Sequence, residues 1–216
     1  MVGRIVKSER SLYIVAMPRV SEEHLAARRR QILAAARVRF AQAGFHATSM
    51  QDVVAESGLS MGAVYRYFKS KDELIEAIAG DVVGMLAGEL EQFIDVRPLP
   101  PLLEVMDDVL GIVESQTGPD GIVRMAIQVW GEALSNPALQ ALVGRVYPVI
   151  RSAFVRLADR AREDGQLPEA SDPEHVGLVL FGLVPGYFLQ LILVGGITRA
   201  DYLAGIEALL VSNRKD

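Results

Sequence analysis

Residues 48–71 read TSMQDVVAESGLSMGAVYRYFKSK, and the chemistry they offer is contact rather than bond breaking. Two short apolar patterns flank the turn Gly58-Leu59-Ser60, which is helix-turn-helix spacing. On the second pattern Leu59, Val64 and Phe68 fall on an inward side, while Met61, Gly62, Ala63, Tyr65 and Arg66 can be presented outward. Small side chains let a helix come close to base edges, and flanking Tyr, Arg and Lys groups hydrogen-bond phosphate oxygens. A catalytic set is harder to assemble. The chain has no Cys, and His24, His46 and His175 are scattered without metal-ligand spacing. No GxSxG, Gly-rich phosphate loop or HExxH is present, so neither an enzyme nor a cofactor or metal site is expected.

Contact with a polyanion needs local positive charge, which the net charge of −5 hides. Residues 1–79 carry 12 Lys+Arg against 8 Asp+Glu, whereas residues 80–216 carry 10 against 19. A basic front on an acidic body implies that only the front meets nucleic acid. With 50% hydrophobic and 23% charged residues the chain is globular, and the lack of Cys suits a reducing cytoplasm.

Positioning the outward helix takes a scaffold, and from Ser21 the pattern is helical almost to the end. Ser21 caps a first helix with Glu22 and Glu23 in its first turn and Leu25, Ile32, Ala36 and Phe40 along one face, stopped by Gly44. Thr48 and Gln51 have capping-box spacing and open a second helix centred on Val53 and Val54, ended by Gly58. Ser60 caps a third, to about Tyr67. Ser70 and Glu73 repeat the spacing before a long fourth helix through Leu74, Ile78, Val82, Leu86 and Leu90. DVRPLPP, residues 95–101, interrupts the chain. Further helices are expected over 102–115, 119–134, 137–164 with a possible kink at Pro148, 173–194 and 199–211; Asn136-Pro137 and Asp172-Pro173 mark two starts. No strand pattern competes, so the fold class is all-α.

The expected organisation is a disordered leader at 1–20, a helix-turn-helix domain at 21–79 and a larger helical domain at 80–216. The apolar stretch 11–17 is too short for a signal sequence, and Met17 is an alternative start to Met1. Residues 176–197 carry no charge and are long enough to span a membrane, but Pro185, Gln190, Tyr187 and several glycines favour a helix buried on all sides.

With RRRQILAAARVRFAQAGFHATSM ahead of the turn and KSKDELIEAIA after it, residues 28–79 strongly resemble the DNA-binding domain of the TetR family of transcriptional regulators. The stretch GLSMGAVYRYFKSKDEL carries most of the specificity. The resemblance implies a phosphate contact at Thr48, and base-edge or backbone contacts at Ser60, Met61, Gly62 and Ala63. It implies a thymine methyl or phosphate contact at Tyr65, and phosphate contacts at Tyr67 and Lys71. Arg66 is the candidate for a bidentate guanine contact or a phosphate clamp. No Asn or Gln sits on the recognition helix, so shape readout gains weight. Arg28, Arg29, Arg30 and Lys69 fit surface and contact roles equally, and the tyrosines admit a packing role with wet hydroxyls.

Residues 100–216 resemble the family loosely, and WGEALSNPALQALVGRVYPVIRSAF with GQLPEASDPEHV looks like its BetI-type C-terminal subgroup. That resemblance implies a homodimer through the helices near 173–194 and 199–211, a pseudo-palindromic double-stranded operator, and a repressor released by a small-molecule effector. Candidate effector-binding residues are Met106, Met125, Gln128, Trp130, Glu132, Tyr147 and Phe154, with Glu132 beside Trp130 hinting at a cationic or hydrogen-bonding ligand. Two other readings stand beside this one: an all-helical enzyme or binding module on the same scaffold, and a membrane-associated protein anchored by 176–195.

Overall fold

Ser21, Ser60, Ser70, Asn136 and Asp172 each precede a helix in the computed structural model, their side-chain oxygens accepting from backbone N–H groups two or three residues on. The structure describes residues 21–118 and 121–211, and among these every regular element is helical. In order they are α1 (Glu22–Ala47), α2 (Met50–Ser57), α3 (Met61–Tyr67), α4 (Lys71–Asp95), α5 (Leu102–Ser115), α6 (Ile122–Ala133), α7 (Pro137–Glu163) and α8 (Pro173–Leu189). A π-helical turn at Gln190–Val194 and α9 (Arg199–Val211) complete the chain. The leader at 1–20 and the choice of start lie outside the described residues.

Two caps differ from expectation by one residue. The α2 capping box is built by Ser49 and Asp52: Ser49 Oγ accepts from the Asp52 N–H at 3.2 Å, and the Asp52 carboxylate accepts from the Ser49 N–H at 2.7 Å. Thr48 instead turns inward and is 1% exposed, its hydroxyl donating to the Gly44 carbonyl at 2.7 Å. The Asp52 carboxyl is held below the usual carboxylate range by the Ser49 hydroxyl and backbone N–H, with Arg39 adding a smaller attraction. At α4, Ser70 caps as expected, but Glu73 reaches back to the Lys69 N–H at 2.6 Å.

α1 lies against α2 and α6, α4 runs along α7, and α7 packs against α8 while α5 meets α8 and α9. One apolar core runs from Ile32, Phe40 and Val64 through Leu90, Met106 and Phe154 to Tyr187 and Ile206. α4 passes unbroken through residues 79 and 80, so the expected division falls inside a helix. The interruption at 95–101 is pinned to the end of α7: Leu99 N–H donates to Asp164 at 2.6 Å, and the Gln166 side chain accepts from Leu102 N–H at 2.7 Å and donates to the Leu99 carbonyl at 3.0 Å.

The α7–α8 crossing depends on Gly177. A Cβ there would lie 2.7 Å from the Val155 Cα and 2.8 Å from its backbone nitrogen, atoms that move only if α7 moves. Gly177→Ala should therefore destabilise by about 1–3 kcal/mol, the usual cost of overpacking. Urea unfolding reads this directly, and an unchanged midpoint would mean that the two helices are less closely apposed.

α8 and the π-helical turn that continues it are buried on one face only, not on all sides. Gly177, Leu180, Val184, Tyr187 and Phe188 face inward, whereas Val179, Leu193 and Val194 are 63%, 66% and 79% exposed. Among the described residues α8 is covered by α5, α7 and, through Tyr202, α9, and none covers the remaining side. By length and composition Pro173–Val194 could cross a membrane, with a mean hydropathy of 2.1.

Candidate nucleic-acid interface and internal cavity

α3 is held by Val64, fully buried, and Phe68 at 5% exposure, which seat it in the core beside α2, with Arg29 of α1 over the Phe68 ring at 5.8 Å, and leave its N-terminal front outward. Met61 is 52% exposed, and Ser60, Gly62 and Arg66 are also exposed, with Ala63 half-buried. The Arg66 guanidinium has no ion-pair partner among the described residues. Tyr65 and Tyr67 pack part of their rings against the core while their hydroxyls make no bond within the described chain, so packing and contact are compatible roles.

Lys71 is a brace. Its Nζ donates to the Phe45 carbonyl at 3.0 Å and the His46 carbonyl at 3.4 Å and sits 4.7 Å from the centre of the Phe45 ring, tying α4 to the end of α1. Lys69 donates to the Tyr65 carbonyl, and Arg29 pairs with Asp81 at 3.4 Å. With its hydroxyl on Gly44 and its N–H on the same carbonyl at 3.3 Å, Thr48 has no donor to spare for a phosphate. Thr48 nonetheless lines a shallow recess beside α3, together with Ser49, exposed Gln51, Tyr65, Ser70 and Lys71. Gln51 was assigned to capping by its spacing from Thr48; once Ser49 is the cap, its amide is free to face outward.

A second feature lies within the body. α4 to α8 enclose a cavity of about 170 Å³ walled by Val82, Leu86 and Glu89 of α4, Val109, Val113 and Gln116 of α5, and Val129 of α6, among others. Four of the seven candidate residues, Met125, Trp130, Tyr147 and Phe154, line it. Met106 does not: it is fully buried in the core. Gln128 and Glu132 point the other way, because residues two apart on an α-helix lie about 200° apart and both are set that way from Trp130. Phe181 and Phe188 of α8 line the cavity as well. Trp130 stacks on Phe188 at 5.5 Å and meets Tyr147 edge-on at 6.0 Å, and Phe181 joins Tyr147 to Phe154 at 5.4 and 6.0 Å. Burial pushes the Tyr147 phenol well above its ordinary range.

The outer face of α6 meets the end of α1. Glu132 lies 3.4 Å from His46, and the buried Gln128 Oε1, with no hydrogen-bond partner, faces Gly44. Met125, Val129 and Trp130 on the cavity side and Gln128 and Glu132 on the α1 side thus belong to one twelve-residue helix.

Residues 32–78 match the family model for bacterial regulatory proteins of the TetR family. Over 94 residues the chain is 39% identical to the HTH-type transcriptional repressor Rv1474c of Mycobacterium tuberculosis, a match covering 44% of this chain and 46% of that relative. The matched part therefore spans less than half of that relative's length. The fold extends further. Salmonella enterica GusR superposes with a TM-score of 0.74 at 22% identity, covering 89% of this chain and 97% of that one. Bacillus subtilis FadR, solved in complex with stearoyl-CoA, superposes with a TM-score of 0.71 at 17% identity, covering 86% and 99%. With α3 inside the matched segment, residues 32–78 carry the N-terminal DNA-binding domain of the TetR family of bacterial regulatory proteins, and the body continues the helical architecture of the solved regulators.

Proposed function

We propose that the protein is a dimeric, ligand-responsive repressor of transcription, working in the cytoplasm, with residues 21–79 binding DNA and residues 80–216 binding effector and partner. The observation that carries this reading is the double role of α6, which forms part of the cavity wall and also seats the end of α1. An effector that binds better when α6 is displaced favours a state in which α1, and with it α2 and α3, no longer fit the operator. α4, which reaches from the recess beside α3 to the cavity, is a second lever. The relative solved with stearoyl-CoA supports a largely apolar effector. The C-terminal sequence further assigns the chain to the BetI-type subgroup.

Dimerisation is assigned to α8 and α9. Their outward faces hold Leu178, Val179, Leu193, Val194 and Leu209, the last 73% exposed, with Gly182, Ala204 and Gly205 as small residues that allow close approach. This is a larger apolar surface than a monomer ordinarily leaves in water. Pairing with a two-fold mate also sets two recognition helices at a fixed separation, as a pseudo-palindromic operator requires.

Selection of bound sequences from random duplex DNA should yield a two-fold symmetric consensus bound as a dimer, with affinity falling steeply as salt rises. Against that consensus, Arg66→Ala and Tyr65→Ala should each weaken binding about tenfold or more, as loss of one good base or phosphate contact does. Absence of any enriched sequence would sink the operator-binding reading. Unchanged affinity in both variants would refute the contact assignment.

A further inference from the structure

The formal charge on the cavity wall is of one sign. Among the described residues that line it there is no Lys, Arg or His, and the single formal charge is that of Glu89. Glu89 follows Val82 and Leu86 at helical spacing, so its side chain leaves α4 along the apolar stripe at the edge of the cavity. Three other acids of α4 are matched, Glu76 with Arg145 at 2.7 Å, Asp81 with Arg29 at 3.4 Å, and Glu91 with Arg156, whereas Asp72 and Asp95 at its ends do not line the cavity. Glu89 has no ion-pair or hydrogen-bond partner among the described residues, and it is half-buried. A half-buried carboxylate without a counter-charge is costly unless something else supplies one.

Opposite charge has a second place to rest. Trp130, Tyr147, Phe154, Phe181 and Phe188 form a continuous aromatic wall whose ring faces attract cations. An anionic head in the same space would meet Glu89 and these ring faces with no basic residue to balance it. The volume sets the size. At about 170 Å³ the cavity is slightly larger than the ~150 Å³ apolar cavity that accommodates benzene. Half-buried Glu89 and Met85, 42% exposed, belong both to the cavity wall and to the surface, which places the charged end of a ligand near solvent.

We propose that the cavity takes an organic cation with a compact apolar body of about one aromatic ring, its positive charge held by Glu89. This rests on the reading of the cavity as the effector site. The wall then divides the work: aliphatic and aromatic side chains bind the body, and Glu89 selects the sign of the head.

Trp130 is the sole Trp of the chain and lines the cavity, so its fluorescence reports occupancy without a label. Three probes of similar size separate body from charge: benzyltrimethylammonium, its uncharged carbon isostere neopentylbenzene, and 3-phenylpropionate. In the full-length dimer the ammonium should bind at least about tenfold more tightly than the carboxylate. Glu89→Gln should weaken the ammonium about tenfold while leaving neopentylbenzene unchanged, which also shows that the variant is folded and its cavity intact. Equal or tighter binding of 3-phenylpropionate, or an ammonium affinity untouched by Glu89→Gln, would overturn the charge assignment and leave the cavity as an effector site. No response of Trp130 to any of the three would overturn both readings.

Discussion

Introducing glutamate at Val179 and Leu193 together should give a folded monomer that has lost operator binding. Both side chains are largely exposed in the single chain, at 63% and 66%, so folding of the protomer has no need of them. At a two-fold interface the substitutions bury four carboxylates, two per protomer, on a face that holds chiefly apolar and small side chains. A monomer keeps one recognition helix and loses the gain that comes from holding two at a fixed separation, a factor of about 10²–10⁴. Sedimentation velocity gives the mass and operator titration the affinity, and helical content by circular dichroism confirms the fold. A double variant that stays dimeric would move the interface elsewhere and return the apolar face of α8 to the membrane-associated reading. A monomer with undiminished operator affinity would mean that the two half-sites are read independently.

The helices were legible because capping and periodicity act locally. Pro137 and Pro173, each preceded by a capping residue, start α7 and α8 where expected, and the absence of alternating patterns excludes a sheet. The burial of α8 was not legible in the same way. An uncharged helix in a soluble chain must cover its faces, but the sequence of one protomer does not say whether its own helices or a second copy's do so. The structure leaves Val179, Leu193 and Val194 outward, and that asymmetry carries the dimer proposal.

The α2 cap and the cavity wall differ from the sequence reading for different reasons. Thr48 and Ser49 are adjacent hydroxyls, and either could cap α2; the choice turned on whether Gln51 or Asp52 answers from the third position. A carboxylate accepts the cap N–H more strongly than an amide carbonyl does, and Asp52 takes the role. In the cavity, Trp130 and Glu132 are close in sequence, but the helix turns them to opposite faces. The angular spacing of α6 already separates Gln128 and Glu132 from Trp130, whereas the contribution of Phe181 and Phe188 needed the packing of α8 on α7. Glu89 is not distinguished by sequence, because an acid on an otherwise ordinary amphipathic helix, its nearest Lys or Arg being Arg97, reads as solvated surface.

Gly44→Ala should lower the stability of the DNA-binding part by about 1–3 kcal/mol and weaken operator binding with it. Gly44 has φ 81° and ψ 161°, a conformation open in practice only to glycine. It breaks α1 sharply three residues before its last, so that Phe45 can turn back onto Phe40, ring centres 5.6 Å apart. The Gly44 carbonyl then receives both the hydroxyl and the N–H of Thr48, which fixes where α2 begins and hence where α3 lies. Space is not the obstacle. An added Cβ would meet the Gln128 Oε1 at 3.7 Å, ordinary contact, so the cost is that of the backbone. Gly88→Ala is the matched control: it lies exposed inside α4 with nothing within 4 Å of an added Cβ, and it should gain about 0.5–1 kcal/mol. Urea unfolding of the two variants separates a backbone effect from the mere addition of a methyl group. Since Gly44 also faces Gln128 of α6, its distortion acts on the joint between cavity and DNA-binding part. The Gly44→Ala dimer should therefore lose effector response by more than it loses effector affinity, whereas equal losses would place the coupling in α4 instead.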